Sequence, residues 1–295
     1  MKACILLTAL LSGMVTSASC DVMPWNQPTS PAEVAISGAL FSLISEPQGL
    51  SLNPSLLPGV KWKGINSSGV FWPMDIYGGS VSGVWPVTKA GVAAAGVSYW
   101  NYGQLDAYDR LGRQLGTIVP QAVSVLLGFG RRLYGGLCGG INLKGAVFSI
   151  GSNKDYSWCS DLAVSYVFGL LTANVQLRDL GPRYPVNDSL KYDLLKSFSA
   201  GINKTFFKDR LAAGFQLNAV ETQKWHLLLG LEYNLLKAVT IRLGYDGDDT
   251  KPERSKLGLG VCFKQTGNQD YSVEYGYRSW GALGTAQALS LGMSF

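Results

Sequence analysis

Residues 225–295 run WHLLLGLEYNLLKAVTIRLGYDGDDTKPERSKLGLGVCFKQTGNQDYSVEYGYRSWGALGTAQALSLGMSF. Read with period two, this stretch breaks into five segments in which apolar residues alternate with polar or small ones. Val239, Ile241, Leu243 and Tyr245 share one face, and Thr240, Arg242, Gly244 and Asp246 share the other. The same alternation carries Leu257 to Lys264, Tyr271 to Arg278 and Ala288 to Phe295. Successive strand residues point to opposite faces, so each segment has one greasy face and one wet or small face. Segments of about ten residues split by turns are what a transmembrane β-barrel requires.

Working back from this stretch, about fourteen strand-like segments follow Ser68. The first nine are predicted near 69–77, 79–87, 91–102, 118–130, 134–150, 157–168, 170–180, 196–206 and 210–219. Trp72, Tyr77 and Trp85 are candidates for an interfacial aromatic belt. The polar stretches 106–116 and 181–195 read as longer external loops. The fold class expected is therefore all-β, a transmembrane antiparallel barrel of about fourteen strands over residues 61–295.

Composition agrees with a barrel. The chain has 295 residues, 47% hydrophobic and 15% charged, with 36 glycines. Past the N-terminus no apolar run reaches the length of about 18 residues that a membrane helix needs. Only helices and closed barrels satisfy the backbone in lipid, so a membrane reading here means a barrel. The net charge of +5 is scattered singly and gives no nucleic-acid footprint.

The N-terminus reads as a signal peptide over residues 1–19. Lys2 is its basic region, Ala3 to Leu11 its apolar region and Ser17-Ala18-Ser19 its small-residue cleavage motif. Cys20 then follows as a possible lipidation site. Residues 20–60 form a lead-in and hatch: 21–35 is Pro-rich and reads as flexible, whereas 36–60 is apolar yet broken by Pro47, Pro54 and Pro58. So many prolines disfavour a membrane helix, and the barrel interior is where such a segment could bury itself.

If the apolar face meets lipid, the lumen carries Asn142, Lys144, Asn174, Gln176, Arg178, His226, Glu232, Arg242, Asp246, Glu274 and Arg278. Both charge signs occur, so pairing across the barrel is one role for them. The other is ligand binding. Arg178, Arg242 and Arg278 are candidates to fix a carboxylate, which an arginine can hold bidentately, and Leu40, Phe41 and Leu43 are candidates to contact an apolar tail. Asn53 begins an Asn-Pro turn in the hatch.

The remaining motifs do not support catalysis or cofactor binding. Cys20, Cys138, Cys159 and Cys262 lie far apart without metal-site spacing, although a Cys138–Cys159 bridge is sterically open. His226 is the one histidine and reads as a packed lumen residue rather than a triad member. Asp246-Gly247-Asp248-Asp249 lacks calcium-loop spacing and reads as a solvated turn. Gly128-Phe129-Gly130 has no nucleotide-loop context. No enzyme, metal or cofactor is expected.

Three stretches resemble a known family, the FadL-like long-chain fatty acid transporters of the outer membrane, in the compact form that includes PorV-like proteins and a treponemal paralogous set. The first is Ser37-Gly38-Ala39 leading to Ser51-Leu52-Asn53-Pro54-Ser55-Leu56-Leu57, similar to the family's hatch motif with Ser55 and Leu56 in place of Ala-Gly. The second is Asp161 to Phe168 followed by Val175 to Gly181, with Asp179 where Asn is usual. The third is the ordered series Gly230-Leu231-Glu232-Tyr233, Ile241 to Tyr245, Gly258-Leu259-Gly260, Asp270-Tyr271 and Ser290-Leu291-Gly292. The resemblance implies a bacterial outer-membrane barrel with a hatch in its lumen that takes up a long-chain fatty acid or another hydrophobic small molecule. Its partners would be outer-membrane lipid and, through the terminal aromatic Phe295, the barrel assembly machinery. A general diffusion porin and a PorV-like accessory or interaction barrel are the alternatives.

Overall fold

The computed structural model describes residues 19–20, 23–36, 53–87, 90–108, 111–182, 184–185, 191–207, 210–220, 225–248, 255–267 and 269–295. Residues 1–18, which hold most of the expected signal segment, and 37–52, which hold Leu40, Phe41 and Leu43, lie outside them.

Fourteen antiparallel strands close into one barrel. In chain order they are β1 Gly64–Phe71, β2 Tyr77–Val87, β3 Gly91–Asn101, β4 Gln121–Tyr134, β5 Leu137–Ile150, β6 Asn153–Phe168 and β7 Leu171–Leu180. There follow β8 Ser197–Phe206, β9 Leu211–Val220, β10 His226–Leu236, β11 Val239–Asp246, β12 Leu257–Gln265, β13 Asp270–Ser279 and β14 Thr285–Ser294. Each strand pairs with its chain neighbours, and β14 pairs with β1 from Gln287↔Phe71 to Ser294↔Gly64. Closure leaves no edge strand, the condition for a sheet to stand in lipid.

The alternation read in the sequence sets the two faces. On β4, Val123, Val125, Leu127 and Phe129 face outward and are exposed, while Ala122 and Ser124 are buried inside. On β11 and β12 the outward residues include Ile241, Leu243, Leu257 and Leu259, against buried Thr240, Arg242 and Cys262. The outer wall is thus an apolar surface suited to lipid, and the polar residues line the lumen.

The two ends of the barrel differ. At one, the turn end, the connections run from two residues (135–136) to four (207–210). The other, the loop end, carries most of the long connections, including 102–120 and 181–196. Both stretches expected as external loops lie there, and each has some order of its own. Leu105–Tyr108 pairs with Gln114–Ile118, and Lys191–Leu194 pairs with Tyr184–Pro185 and, in parallel, with Ser19–Cys20.

Several expectations need correction. The first strand begins at Gly64 rather than at 69, because Asn66, Ser67 and Ser68 give too little apolar contrast to mark a strand by pattern. The stretch read as a flexible lead-in is folded from Met23 onward. It contains a 3-10 turn at Pro24–Asn26 and helix α1 at Pro31–Ile36, whose residues are buried. A second 3-10 turn spans Pro54–Gly59. Trp72 is not in an outer belt but packs inward against other tryptophans. Asp246 and Asp248 are buried rather than solvated, with the Asp248 N–H donating to Asp246 Oδ1 at 3.0 Å.

Candidate functional site

The site is the lumen and what fills it. Helix α1 starts where its sequence says a helix can start. Ser30 is its N-cap, Pro31 follows it, and Glu33 completes a capping box. The Glu33 N–H donates to Ser30 Oγ at 3.2 Å and the Ser30 N–H donates to Glu33 Oε2 at 2.9 Å. The Thr29 N–H also donates to this carboxylate, at 2.6 Å. Even so, burial pushes the Glu33 carboxyl above its ordinary value, with the Thr29 and Ser30 amides and the Arg178 charge acting in the opposite direction.

Helix α1 lies on a floor of glycines. A Cβ at Gly258 would come 2.2 Å from the Ala35 carbonyl, one at Gly244 would come 2.3 Å from it, and one at Gly276 would come 2.3 Å from the Pro31 carbonyl. The helix backbone can therefore approach β11–β13 only because these positions carry no side chain. The far end of the helix is held by a charge. Arg278 donates from Nε to the Val34 carbonyl at 2.9 Å and from Nη2 to the Ala35 carbonyl at 3.1 Å. A cation at the carbonyl end of a helix is favoured by the helix dipole. Ser68 on β1 donates to the Thr29 carbonyl and holds the start of this segment.

The 54–59 turn rests nearer the turn end on a second glycine floor. A Cβ at Gly130 would come 2.2 Å from the Pro54 carbonyl oxygen, and one at Gly140 would come 2.3 Å from the Pro54 carbonyl carbon. Asn53 caps this turn: its Oδ1 accepts from the Ser55 N–H at 3.2 Å and from the Ser55 hydroxyl at 2.7 Å. Leu57 is fully buried in an apolar cluster with Val60, Val84, Val92 and Ala94.

The three candidate arginines do not converge. Arg242 on β11 bridges two carboxylates, Glu232 at 2.8 Å and Glu274 at 2.5 Å, and Cys262 donates to Glu274 at 3.2 Å. Arg278, one strand beyond the neighbouring β12, is taken up by the helix. Arg178 belongs to a different wall. There Lys144 pairs with Asp161 at 2.7 Å and Asp179 at 3.1 Å, and Asn26 of the N-terminal segment bridges Asp179 (3.1 Å) and Arg178 Nη2 (3.2 Å). Among the described residues, Arg178 Nε has no hydrogen-bond partner. Asn174 and Gln176 line the same strand inside, and His226 Nε2 lies 3.2 Å from Asn218. Cys138, Cys159 and Cys262 are free and buried, so the Cys138–Cys159 bridge does not form.

At the loop end the lumen turns aromatic, which the sequence reading missed. Trp72 and Trp100 meet edge to face at 5.8 Å, Trp72 and Trp280 lie 5.3 Å apart, and Tyr102 and Phe148 lie 5.5 Å apart. These rings belong to one buried cluster with Val34 of helix α1, Val70, Ala122, Ala286 and Ala288. The signal was available as strand parity. Trp100 falls in phase with inward Ser98 on β3, and Gly78 opposite leaves room for its ring, since a Cβ there would lie 2.7 Å from it.

No protein-family model matches this sequence, and no curated protein does. Solved structures do match in shape. A Pseudomonas aeruginosa FadL homologue superposes with a TM-score of 0.60 at 11% identity, over 91% of this chain and 98% of that one. The Ralstonia pickettii toluene transporter TbuX gives 0.60 at 11% identity, over 90% and 97%. The Pseudomonas putida toluene transporter TodX gives 0.54 at 10% identity, over 95% and 98%. At such identities the likeness is one of fold. By fold, this chain is a fourteen-stranded β-barrel of the FadL type.

Proposed function

We propose that this protein sits in the bacterial outer membrane and transports hydrophobic molecules through its hatch-plugged lumen. The observation that carries the reading is the aromatic cluster of Trp72, Trp100 and Trp280 at the loop end, which shares one buried cluster with Val34 of helix α1. An apolar molecule taken up there touches the hatch without first crossing a charged layer. The charges deeper in the lumen are largely paired with one another or with the hatch, which favours neutral cargo over ions. A general porin has no use for such a plug. The FadL-type neighbours, two of them toluene transporters, point the same way.

The test is equilibrium binding of radiolabelled toluene to the folded, detergent-solubilised barrel and to Trp100→Ala. Saturable binding that weakens about tenfold or more in the variant is expected, since losing one aromatic contact and its buried area is worth at least about 1.4 kcal/mol. Absence of saturable binding in the parent would turn the reading toward a porin or an accessory barrel. A long-chain fatty acid is the second reading, favoured by the unpartnered Nε of Arg178. On that reading Arg178→Ala weakens binding of the free acid and leaves its methyl ester unchanged, and equal loss of both rejects it.

A further inference from the structure

A cavity of about 210 Å³ lies at the turn end of the lumen, away from the aromatic mouth. Its floor is one cross-strand row of inward residues: Lys264 on β12, Ser272 on β13, Gly292 on β14 and Asn66 on β1, each opposite the next in register. Glu274 lies one inward position above this row, and Trp62, just before β1, forms the rim. Gly292 creates the space. A Cβ there would come 2.4 Å from Ser272 Oγ and 3.2 Å from Asn66 Nδ2. The side chain of Asn66 is the unusual part. It is 1% exposed, it lines the cavity, and among the described residues neither its Oδ1 nor its Nδ2 has a hydrogen-bond partner. A buried amide with both functions unmet is costly, and such groups in native proteins call for a reason.

We propose that this cavity is a binding site for a small neutral molecule of single-ring size that carries a hydroxyl group, a phenol in chemical class. A hydroxyl is both donor and acceptor, so it can satisfy Asn66 Oδ1 and Nδ2 together, with Ser272 beside it. The Trp62 indole supplies a flat apolar wall for the ring. The size suits a single ring: a dry cavity of about 150 Å³ takes benzene, and drug-sized ligands need upward of about 300 Å³. Charge limits the ligand further. Glu274, already held by Arg242 and Cys262, and Asp270 on the cavity wall disfavour an anion, while Lys264 balances them for a neutral guest. The site is distinct from the aromatic mouth and does not depend on the transport reading.

The experiment uses the full-length folded barrel and three fluorinated probes followed by fluorine NMR: 4-fluorophenol, fluorobenzene and 4-fluorobenzoate. In the parent protein 4-fluorophenol binds about tenfold more tightly than fluorobenzene, and 4-fluorobenzoate binds more weakly than either. Asn66→Leu, close in size but without the amide, erases the preference for the phenol over fluorobenzene. Gly292→Ala, which narrows the cavity, weakens both neutral probes. Toluene binding at the Trp100 cluster is unchanged in both variants, so failure here and failure of the transport reading are told apart. The proposal is overturned by any of three results: no phenol preference in the parent, a preference that survives in Asn66→Leu, or benzoate binding as tightly as phenol.

Discussion

Helix α1 and the 54–59 turn both lie on glycine floors, yet they are fastened in different ways. The turn is held by shape, with Leu57 fully buried among aliphatic side chains and Asn53 closing its first amides. The helix presents mostly alanine and backbone to the wall, and Arg278 holds it by its carbonyls. The physical reason lies in connectivity. The turn runs into β1 at Gly64 within a few residues, so placing it orders little additional chain. Helix α1 is tied to the turn only through 37–52, and the entropy of closing a loop grows with its length. A segment on a longer tether needs a stronger clasp, and a charged donor on a helix end supplies one.

The largest effect expected from breaking this contrast is at Leu57. Leu57→Ala removes a fully buried side chain and costs about 2–5 kcal/mol. Hydrogen exchange should rise over 54–59 and leave 31–36 protected. Next comes Arg278→Ala, which deletes charge-assisted bonds worth about 1.5–3 kcal/mol. It should expose 31–36 to exchange while 54–59 stays protected, and Arg278→Lys should restore only part of the protection because one ammonium does not reproduce the planar fork. If either substitution loosens both segments equally, the two docks act as one unit and the contrast is wrong.

The smallest effect is a pH slope. Burial raises the Glu33 carboxyl above its ordinary value, so the docked helix favours the protonated form. The contribution of this group to docking is therefore fully present below its ordinary pKa and is lost as pH rises through the raised one. Exchange over 31–36, corrected for its intrinsic pH dependence, should quicken as pH rises above the ordinary carboxylate value of about 4 in the parent and lose that slope in Glu33→Gln, which can still complete the capping box. A slope that persists in Glu33→Gln would assign it to another group.

The barrel was legible where side chains alternate strongly, as from Val239 to Asp246, because one face had to meet lipid and the other the lumen. It faded where both faces are small or polar. Strand β1 reads Gly-Ile-Asn-Ser-Ser-Gly and shows its pairing only through β2 and β14, which is tertiary information. The prolines of 21–35 concealed the order there, although Ser30 and Glu33 stood at capping-box spacing. The lumen-facing set was readable by parity, from Asn142 to Arg278. Which partners they would find was not: Lys144 is met by Asp161 and Asp179, two residues outside that set on two other strands, whose register no local pattern reveals.

The seam between β14 and β1 carries a consequence for assembly. It pairs residues 64–71 with 287–294, whereas every other ladder in the wall joins strands that follow one another along the chain. These hydrogen bonds have the highest contact order in the barrel, so they are the last that local zippering can reach. Until they form, β1 and β14 are two bare ribbons in the same molecule, each able to template a foreign strand. The seam is therefore where a folding catalyst has most to gain, and where a few misplaced residues would turn a closed cylinder into an aggregating sheet.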